Sequence, residues 1–369
     1  MPPPETVLQG RFTIEKLIGT GGFGNVYIGR DTVTGEPVAI KCEHGTSRSW
    51  LYHEAKIMQQ IGPNHQHDVL GVPTLKYFGP IGDYRVLVMT MLGPSLEDLH
   101  ESLGRFTLKT TLMLVDQMIL RLQYMHEQGF VHRDLKPDNF LMGTSRRSHI
   151  LYIIDFGLSS KYRHTEGQHR EMSTGRSFIG TTRYASLNTH LGRSQSRRDD
   201  MEQLAYIAIY MLRGKLPWSG LRLQDRDEKE RVIGQMKNEM SIQQICSKCP
   251  RAFETFLTYT RCMKFEEDPQ YNMCQMLFRS VLEESKLLYD YQFDWVVKKP
   301  QENLDDSQSC SGSSAKGIGM TSGMLSDGDV ASLKGEDPQP ANTAPVPSNQ
   351  VAPPAAKPSP AEQKTPPTA

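Results

Sequence analysis

Short apolar runs that alternate with turn residues dominate the first quarter of the chain. Residues 12–17, 25–29 and 37–42 have the length and composition of strands, and residues 84–89 predict a further, buried strand. The stretch Thr90-Met-Leu-Gly-Pro94 follows, and its glycine and proline interrupt regular structure. These patterns predict a small sheet that ends at a hinge.

Apolar residues also recur at helical spacing, both within the sheet region and after the hinge. Leu51, Ala55 and Met58 lie at i, i+4 and i+7, which predicts a helix between two of the strands. Ser95 opens a Ser-x-x-Asp pattern that is typical of a helix N-terminus. Beyond it the pattern predicts a long amphipathic helix over residues 108–126, another strand over residues 150–154 and a buried helix over residues 204–212.

One polar stretch, His132-Arg-Asp-Leu-Lys-Pro-Asp-Asn139, combines an acid, an amine and an amide at fixed offsets. Each group suits one task in phosphoryl transfer. Asp134 can accept the proton of a hydroxyl, Lys136 can reach the charge on the transferred group, and Asn139 can hold Mg²⁺. A polar turn is the alternative, since His-Arg-Asp alone is a common accident. The segments on either side favour the chemical interpretation.

A glycine-rich stretch upstream contains Gly19, Gly21 and Gly24, which can let backbone amides approach nucleotide phosphates. Dinucleotide-binding turns have the same spacing, but they open a helix, whereas the residues after Gly24 continue as a strand. Lys41 follows 17 residues after Gly24, where a dinucleotide site would place an acid. We therefore expect a loop over ATP, with Lys41 on the α- and β-phosphates.

Two acids complete the expected nucleotide site. Glu54, on the first predicted helix, would form an ion pair with Lys41, although a solvated helix acid is the alternative reading of this residue. Asp155 of the Asp-Phe-Gly motif follows a predicted strand and would hold Mg²⁺ together with Asn139. The expected apolar contacts to the nucleotide come from strand and hinge residues, namely Val26, Ala39, Met89 and Leu92.

The motifs occur in the order typical of a protein kinase, and Lys136 resembles the serine/threonine class. Ser186-Leu-Asn188 stands where most kinases have Ala-Pro-Glu, and it looks like the variant found in the casein kinase 1 family. Four more stretches are similar to that family: Leu92-Gly-Pro-Ser-Leu-Glu-Asp-Leu99, Gln195-Ser-Arg-Arg-Asp-Asp200, Leu216-Pro-Trp218 and Phe293-Asp-Trp295. The resemblance extends from about Phe12 to Trp295.

The resemblance implies an α+β, bilobal protein kinase fold. Residues 1–11 would be an N-terminal extension, and residues 12–295 the kinase domain. A small β-rich N-lobe (12–91) and a larger helical C-lobe (92–295) would form this domain. The implied reaction moves the γ-phosphoryl of ATP, with Mg²⁺, to serine or threonine. Two alternatives are a scaffold that binds ATP without turnover and a dinucleotide enzyme; the full set of catalytic groups argues against both.

A basic segment supports an anionic substrate. Residues 161–198 contain eight lysines and arginines against two glutamates, although a solvated charged face is the alternative. The resemblance implies protein substrates with an acidic or phosphorylated residue before the acceptor, bound at Arg183, Gly220 and Lys229 with Arg176 nearby. It also implies that Asp200 steadies the catalytic loop. Acids at 225, 227 and 228 weaken the predicted pocket at Lys229.

The composition indicates the cellular environment and the classes of partner to expect. The formal net charge is zero, so no overall field favours nucleic acid or a membrane surface. The six cysteines are too scattered for a disulfide framework, and four of them (246, 249, 262 and 274) offer only a weak zinc alternative. We find no signal pattern, lipidation motif or bilayer-length apolar run. We expect a soluble monomer of the cytoplasm, with nuclear entry left open.

The composition changes after Trp295. Residues 296–369 contain no aromatic side chain and are rich in proline and serine, which predicts a disordered tail. Serines 307, 309, 311, 313 and 314 follow Asp305 and Asp306, so the tail resembles a substrate of its own kinase domain. One hypothesis is that the phosphorylated tail blocks the basic segment, and the alternative is an inert spacer.

Overall fold

The structure, a computed structural model, describes residues 7–8, 10–21, 24–45, 49–63 and 71–297. From position 298 onward the tail that was predicted to be disordered lies outside this described part. The N-terminal region is an antiparallel sheet with the strand order β1-β2-β3-β4-β6-β5. Its strands are β1 (Val7–Leu8), β2 (Phe12–Gly21), β3 (Gly24–Asp31), β4 (Pro37–His44), β5 (Leu75–Ile81) and β6 (Tyr84–Thr90).

Side-chain alternation in β4 and β6 gives the sheet two different faces. One face forms an outer apolar cluster that includes Val38, Ile40, Cys42, Val86 and Val88. The alternate residues Ala39, Leu87 and Met89 belong to the main core, which continues into the helical region. Lys41 shares the second face with Ala39, because the two residues are two positions apart in the same strand. The lysine therefore points toward the inside of the molecule.

The helices are α1 (Trp50–Ile61), α2 (Leu96–Leu103), α3 (Leu108–Glu127), α4 (Leu187–His190), α5 (Arg197–Arg213), α6 (Arg226–Glu239), α7 (Ile242–Ile245), α8 (Arg251–Cys262), α9 (Tyr271–Glu284) and α10 (Asp294–Val297). Short strands β7 (Phe130–Val131), β8 (Phe140–Met142), β9 (Leu151–Ile153) and β10 (Ser160–Lys161) lie around the catalytic motifs. A sheet region followed by a helical region confirms the predicted α+β architecture.

The two central helices, α3 and α5, are buried along most of their length and pack against each other, α8 and α9. The apolar pattern predicted only residues 204–212 of α5. The helix begins seven residues earlier, at Arg197, because its first turn consists of buried charged residues that a hydrophobic pattern does not reveal. The predicted Ser95 cap is confirmed, since Ser95 and Asp98 form a reciprocal capping box at the start of α2.

β5 is the main strand that the sequence analysis missed, and it pairs with β6 at the edge of the sheet. Its residues are only half-buried for the most part, so the strand lacks a strong apolar signal. Cys246 and Cys274 are buried, whereas Cys262 is exposed. Within the described residues, no cluster of three metal-binding side chains occurs, and none of the helices has the length and hydropathy to cross a bilayer.

Candidate active site

Cross-strand pairing aligns Lys41 of β4 with Val26 of β3 and, through it, with Gly19 of the glycine-rich hairpin. In the β-sheet register, Gly19 pairs with Val26, and Val26 pairs with Lys41. Gly21 pairs with Gly24 at the end of the same hairpin. Gly24 has φ +124°, and a Cβ there would lie 2.2 Å from the carbonyl oxygen of Cys42. Only glycine fits this position, so the turn that could cover a phosphate also depends on a close backbone approach.

Lys41 is the centre of an ion-pair cluster between the sheet and the helical region. Its Nζ lies 2.7 Å from Oε1 and 3.0 Å from Oε2 of Glu54, and 3.7 Å from Oδ1 of Asp155. Burial alone would lower the pKa of Lys41, but the two carboxylates outweigh it and raise that pKa. Lys41 is therefore a fixed cation, held by one acid on α1 and one from the Asp-Phe-Gly motif.

The apolar residues predicted to contact the nucleotide lie on the inner face of the sheet and at the hinge. Ala39 and Met89 are register partners on neighbouring strands, and both are buried. Leu92 is buried as well and follows the end of β6. The next residue, Gly93, donates its backbone N–H to the carbonyl oxygen of Met142 at 2.8 Å. This bond ties the hinge to the helical region directly beside the predicted site.

The catalytic stretch forms a loop that ends in a short 3₁₀ turn, Pro137–Asn139. Nζ of Lys136 lies 3.7 Å from Oδ2 of Asp134, while Thr181 donates its hydroxyl to Oδ1 of Asp134 at 2.7 Å. Nδ2 of Asn139 donates to the carbonyl oxygen of Asp134 at 2.9 Å, which orients the amide. The structure therefore brings together the three side chains singled out in this stretch. Thr181 is a fourth contact that the sequence analysis missed.

Asp200 stabilises the catalytic loop through hydrogen bonds, as the resemblance implied. Its carboxylate accepts the backbone N–H groups of His132 at 2.7 Å and of Arg133 at 2.9 Å. His126 contacts the same carboxylate at 2.9 Å. Arg133 has φ +71°, an uncommon value for a residue with a side chain, so these bonds stabilise a strained backbone. Burial acts to raise the pKa of Asp200, but the hydrogen bonds and nearby histidines lower it overall.

Asp155 and Asn139 suit a hard cation. Asp155 follows the end of β9, and the backbone N–H of Ile154 bonds to the carbonyl oxygen of Asn139 at 3.0 Å, which places the two residues on adjoining segments. Burial acts to raise the pKa of Asp155, yet the nearby Lys41 and Lys136 lower it overall. A carboxylate and an amide oxygen are hard donors. Mg²⁺ usually takes only one or two carboxylates and completes its shell with substrate phosphates and water, so these residues fit it.

Arg183 is the first of the residues predicted to bind a substrate anion. Its guanidinium lies 3.8 Å from Oε1 of Glu97 and packs over the rings of Tyr184 and Tyr210. The indole N–H of Trp218 donates to the backbone carbonyl oxygen of Arg183 at 2.8 Å. Arg183 is thus oriented on one side by an acid and two aromatic rings, and its backbone is fixed by the tryptophan.

A buried lysine on α6 fixes the same segment. Nζ of Lys237 donates to the carbonyl oxygens of Thr182 at 2.9 Å and Ala185 at 2.7 Å, on either side of Arg183. Its side chain is fully buried against the rings of Tyr206 and Trp218. Burial lowers the pKa of Lys237 well below its ordinary value. Lys237 was missed by the sequence analysis because its partners lie some fifty positions away.

Three of the four predicted anion-binding positions, Arg183, Gly220 and Lys229, lie on segments that Trp218 and Lys237 join. Gly220 follows Trp218 by two residues, has φ +80°, and leaves open space where a Cβ would stand. Lys229 lies on α6, eight residues before Lys237 and thus about 12 Å along the helix axis. Arg176 has different neighbours, since its Nε donates to the Ser173 hydroxyl and its backbone N–H to the carbonyl oxygen of Gly192.

The Ser186-Leu-Asn188 variant has its own support in α5. Ser186 donates its hydroxyl to Asp199 at 2.6 Å, and Glu202 accepts the backbone N–H of Leu187 at 3.0 Å. Glu202 also accepts the hydroxyl of Tyr206 at 2.6 Å and lies 3.4 Å from Nε of Arg261. An acid on α5 therefore anchors a segment that lacks its own glutamate, a role that the sequence analysis did not foresee.

The family model for the protein kinase domain matches residues 12–284 of this chain. The matched span includes every residue predicted to take part in catalysis, nucleotide binding or anion binding. It ends at the last residue of α9, before α10.

Proposed function

The chain belongs to the protein kinase family, and on this premise we propose that it is a serine/threonine kinase of the casein kinase 1 type. It would transfer the γ-phosphoryl of ATP to a serine or threonine near an acidic or phosphorylated residue of a protein substrate. The observation that carries this proposal is the assembled polar cluster. Lys41 pairs with Glu54 and Asp155, while Asp134 lies within reach of Lys136.

In the proposed reaction, Lys41 holds the α- and β-phosphates of ATP, and Glu54 keeps its ammonium group in place. The glycine turn at Gly19, Gly21 and Gly24 covers the phosphates with backbone N–H groups. The purine would lie against the apolar residues of the sheet and hinge, which are Val26, Ala39, Met89 and Leu92. All these contacts position the nucleotide without covalent chemistry, as phosphoryl transfer requires.

Asp134 would accept the proton of the substrate hydroxyl. The Thr181 hydroxyl occupies one of its oxygens at 2.7 Å, which orients the carboxylate and leaves the other oxygen for the substrate. Lys136 would approach the transferred phosphoryl group. Asp134, Asp138 and Asp155 raise the pKa of Lys136 against the lowering effect of burial, so it stays charged. Bound at Asp155 and Asn139, Mg²⁺ would neutralise charge on the phosphates.

The substrate preference is proposed from Arg183 and its surroundings. A guanidinium held by aromatic rings is well suited to pair with a phosphate or carboxylate. Gly220 leaves open space, and Lys229 supplies a second positive charge from α6. Arg176 would add charge at the edge of the same region. Glu97 already contacts Arg183, so an incoming anion has to compete with it.

A scaffold that binds ATP without turnover is not favoured. Such proteins usually lack one of the groups needed for transfer, whereas Lys41, Asp134 and Asp155 all have their partners in place here. A dinucleotide enzyme is also disfavoured, because β3 continues as a strand after Gly24.

The test measures transfer of labelled phosphate to paired peptides, with and without a phosphoserine three residues before the acceptor serine. We expect Asp134→Asn to lower kcat by about 10²- to 10⁴-fold. Arg183→Ala should raise the KM for the phosphorylated peptide by roughly tenfold, which corresponds to losing one charged hydrogen bond. Arg251→Ala, which changes an exposed arginine on α8, is the matched control and should leave both constants unchanged.

The outcomes separate the parts of the proposal. Equal KM values for both peptides in the wild-type protein would remove the anion preference and keep the kinase. If the folded protein binds ATP but labels neither peptide nor casein, the proposed transfer reaction is wrong. Thermal unfolding of each variant confirms that the comparison is made on folded protein.

A further inference from the structure

A cavity of about 460 Å³ lies on the helical region, where the start of α3 meets the end of α5. Phe106 and two leucines supply its apolar lining, and Thr107 marks the N-terminus of α3. Four cationic side chains complete it: Arg105, Arg213, Lys215 and Lys248. None of these residues belongs to the proposed active site.

Tight backbone contacts build this cavity. Phe106 donates its N–H to the carbonyl oxygen of Met211 at 2.9 Å, which joins the two segments. Gly214 has φ +80°, and a Cβ at this position would lie 2.8 Å from the carbonyl oxygen of Gly104. The close approach of the two glycine turns holds Arg105 and Lys215, the residues that follow them, on neighbouring backbone segments.

The positive charge of the cavity is not balanced by its lining, which contains no acid. Arg213 donates to the carbonyl oxygen of Ile245 at 2.9 Å, a neutral partner. Within the described part of the chain, the side chains of Arg105, Lys215 and Lys248 form neither an ion pair nor a hydrogen bond. The partial negative charge at the C-terminus of α5 stabilises the positive charges of Arg213 and Lys215. Arg105 and Lys248 come from other segments and do not gain from it. Four cations around one cavity repel each other, and an anionic ligand would offset that repulsion.

The chain leaves the described region at this same place. The carboxylate of Asp294 accepts the backbone N–H and the hydroxyl of Thr107, each at 2.7 Å. The ring of Trp295 packs edge-on against Phe106, with 5.5 Å between ring centres. Val297, two residues later, is the last described residue. The segment after Val297 is therefore joined to a part of the chain that contacts the cavity lining.

We propose that this cavity is a docking site for the acidic segment 302–306 of the same chain, whose carboxylates pair with its cations. Glu302, Asp305 and Asp306 are the first acids after Val297. Glu302 lies five positions beyond Val297, and an extended chain covers at most about 18 Å over that distance. A short tether gives an effective concentration in the millimolar range, so docking needs only a millimolar intrinsic affinity.

Docking at this cavity differs from blockage of the active site. The cationic groups that an active-site blockade would use are Arg183 and Lys229, together with Lys136 of the catalytic loop. The first acids after Val297 come a few positions beyond the contact of Trp295 with Phe106, so Arg105 and Lys215 are the cations that a short tether could bring to them. Docking here would hold the start of the tail, and with it the serines from 307 onward, on the side of the molecule where α10 ends.

The test uses the full-length chain and a carbodiimide, which joins a carboxylate to a lysine amine only when the two are in contact. Mass spectrometry should identify links from Glu302, Asp305 or Asp306 to Lys215 or Lys248. An equal mixture of ¹⁴N- and ¹⁵N-labelled protein separates links within one chain from links between two chains. We expect links within one chain, with a yield that falls as the salt concentration rises.

Lysine acylation gives a second measurement on unlinked protein. Relative to the exposed Lys264, Lys215 and Lys248 should react roughly tenfold more slowly in the full chain, as tethered docking predicts. The variant Glu302→Gln/Asp305→Asn/Asp306→Asn should abolish this protection. Its matched control neutralises three later acids, Asp327→Asn/Asp329→Asn/Glu336→Gln, and should keep it.

Three results would overturn the proposal. Links found only between differently labelled chains would assign the cavity to a second copy. Links from the same acids to Lys136 or Lys229 would favour blockage of the active site. Equal acylation of Lys215 and Lys248 in the chain and in its acid-neutralised variant would show that the segment does not dock. Because no part of the test needs phosphoryl transfer, its failure would leave the proposed function unaffected.

Discussion

Glu97 illustrates how the environment of one residue changes its protonation. It lies on α2, accepts the hydroxyl of Tyr210 at 3.0 Å, and contacts Arg183 at 3.8 Å. Burial and the nearby Asp138 raise the pKa of Glu97 to about 7, despite the opposing effect of Arg183. The acid that competes for Arg183 therefore changes charge near neutral pH.

This raised pKa predicts a pH-dependent stability. The ordinary pKa of a glutamate is 4.5, so between pH 4.5 and about 7 the folded protein keeps a proton that the unfolded chain has lost. The free energy of unfolding contributed by Glu97 therefore falls as pH rises through this window. Replacing Glu97 by Gln should raise the free energy of unfolding at pH 8 by about 1–3 kcal/mol and change it little at pH 4.5.

Urea denaturation of wild type and Glu97→Gln at pH 4.5 and pH 8 measures this effect. Glu283→Gln, which changes an exposed acid near the end of α9, is the control and should behave like wild type at both values. A gain of the same size at both pH values would mean that packing, and not titration of Glu97, explains the difference.

Among the structural elements, the segment from Thr181 to Asn188 depends most on distant partners. Thr182 and Ala185 accept hydrogen bonds from Lys237 on α6, and Leu187 donates to Glu202 on α5. Backbone groups, not side chains of the segment, make most of these bonds. Its conformation is therefore set largely by two helices, α5 and α6.

Glu202 should be the most costly of these partners to remove. It is almost fully buried and contacts Leu187, Tyr206 and Arg261. Replacing it by alanine leaves the partly buried Arg261 without its acid, which costs about 3 kcal/mol. We expect the melting temperature of Glu202→Ala to fall by roughly 6–12 °C in differential scanning fluorimetry.

Two further variants serve as a comparison and a control for this prediction. Glu202→Gln keeps an acceptor oxygen for the Leu187 N–H and should lose less than Glu202→Ala. Glu239→Ala changes an exposed acid at the end of α6 and should leave the melting temperature within about 1 °C of wild type. A wild-type melting temperature for Glu202→Ala would show that the contacts seen around this carboxylate do not stabilise the fold.

At the scale of the whole molecule, the sequence predicted the structural elements that depend on local residue patterns. The strands around the glycine turn, the hinge and the long helices have periodic apolar residues, and the architecture was confirmed. The structure also brings together Lys41, Glu54 and Asp155, whose motifs are recognisable one by one. Glu202 and Lys237 could not be found in this way. Each looks like an ordinary surface charge in sequence, and its role appears only when distant segments meet.

The C-terminal boundary of the folded region is another such long-range property. The family match ends at residue 284, yet the residues that follow close over the start of α3. Asp294 accepts two hydrogen bonds from Thr107, Phe293 is almost fully buried, and Tyr289 donates to Asp116 at 3.1 Å. The Asp294 carboxylate also lies at the N-terminus of α3, where the helix dipole favours negative charge.

We therefore predict that a chain ending at residue 297 folds like the full protein, whereas a chain ending at 284 does not. Losing the buried Phe293 alone should cost about 3–5 kcal/mol, so the shorter chain should melt at least about 6 °C lower. Asp294→Asn should weaken the cap by about 1 kcal/mol, while Glu284→Gln, at an exposed position, should not. Calorimetry of the two truncated chains decides the matter. Equal melting temperatures would place the end of the folded region at α9 and make the contacts of Asp294 and Trp295 with α3 dispensable for stability.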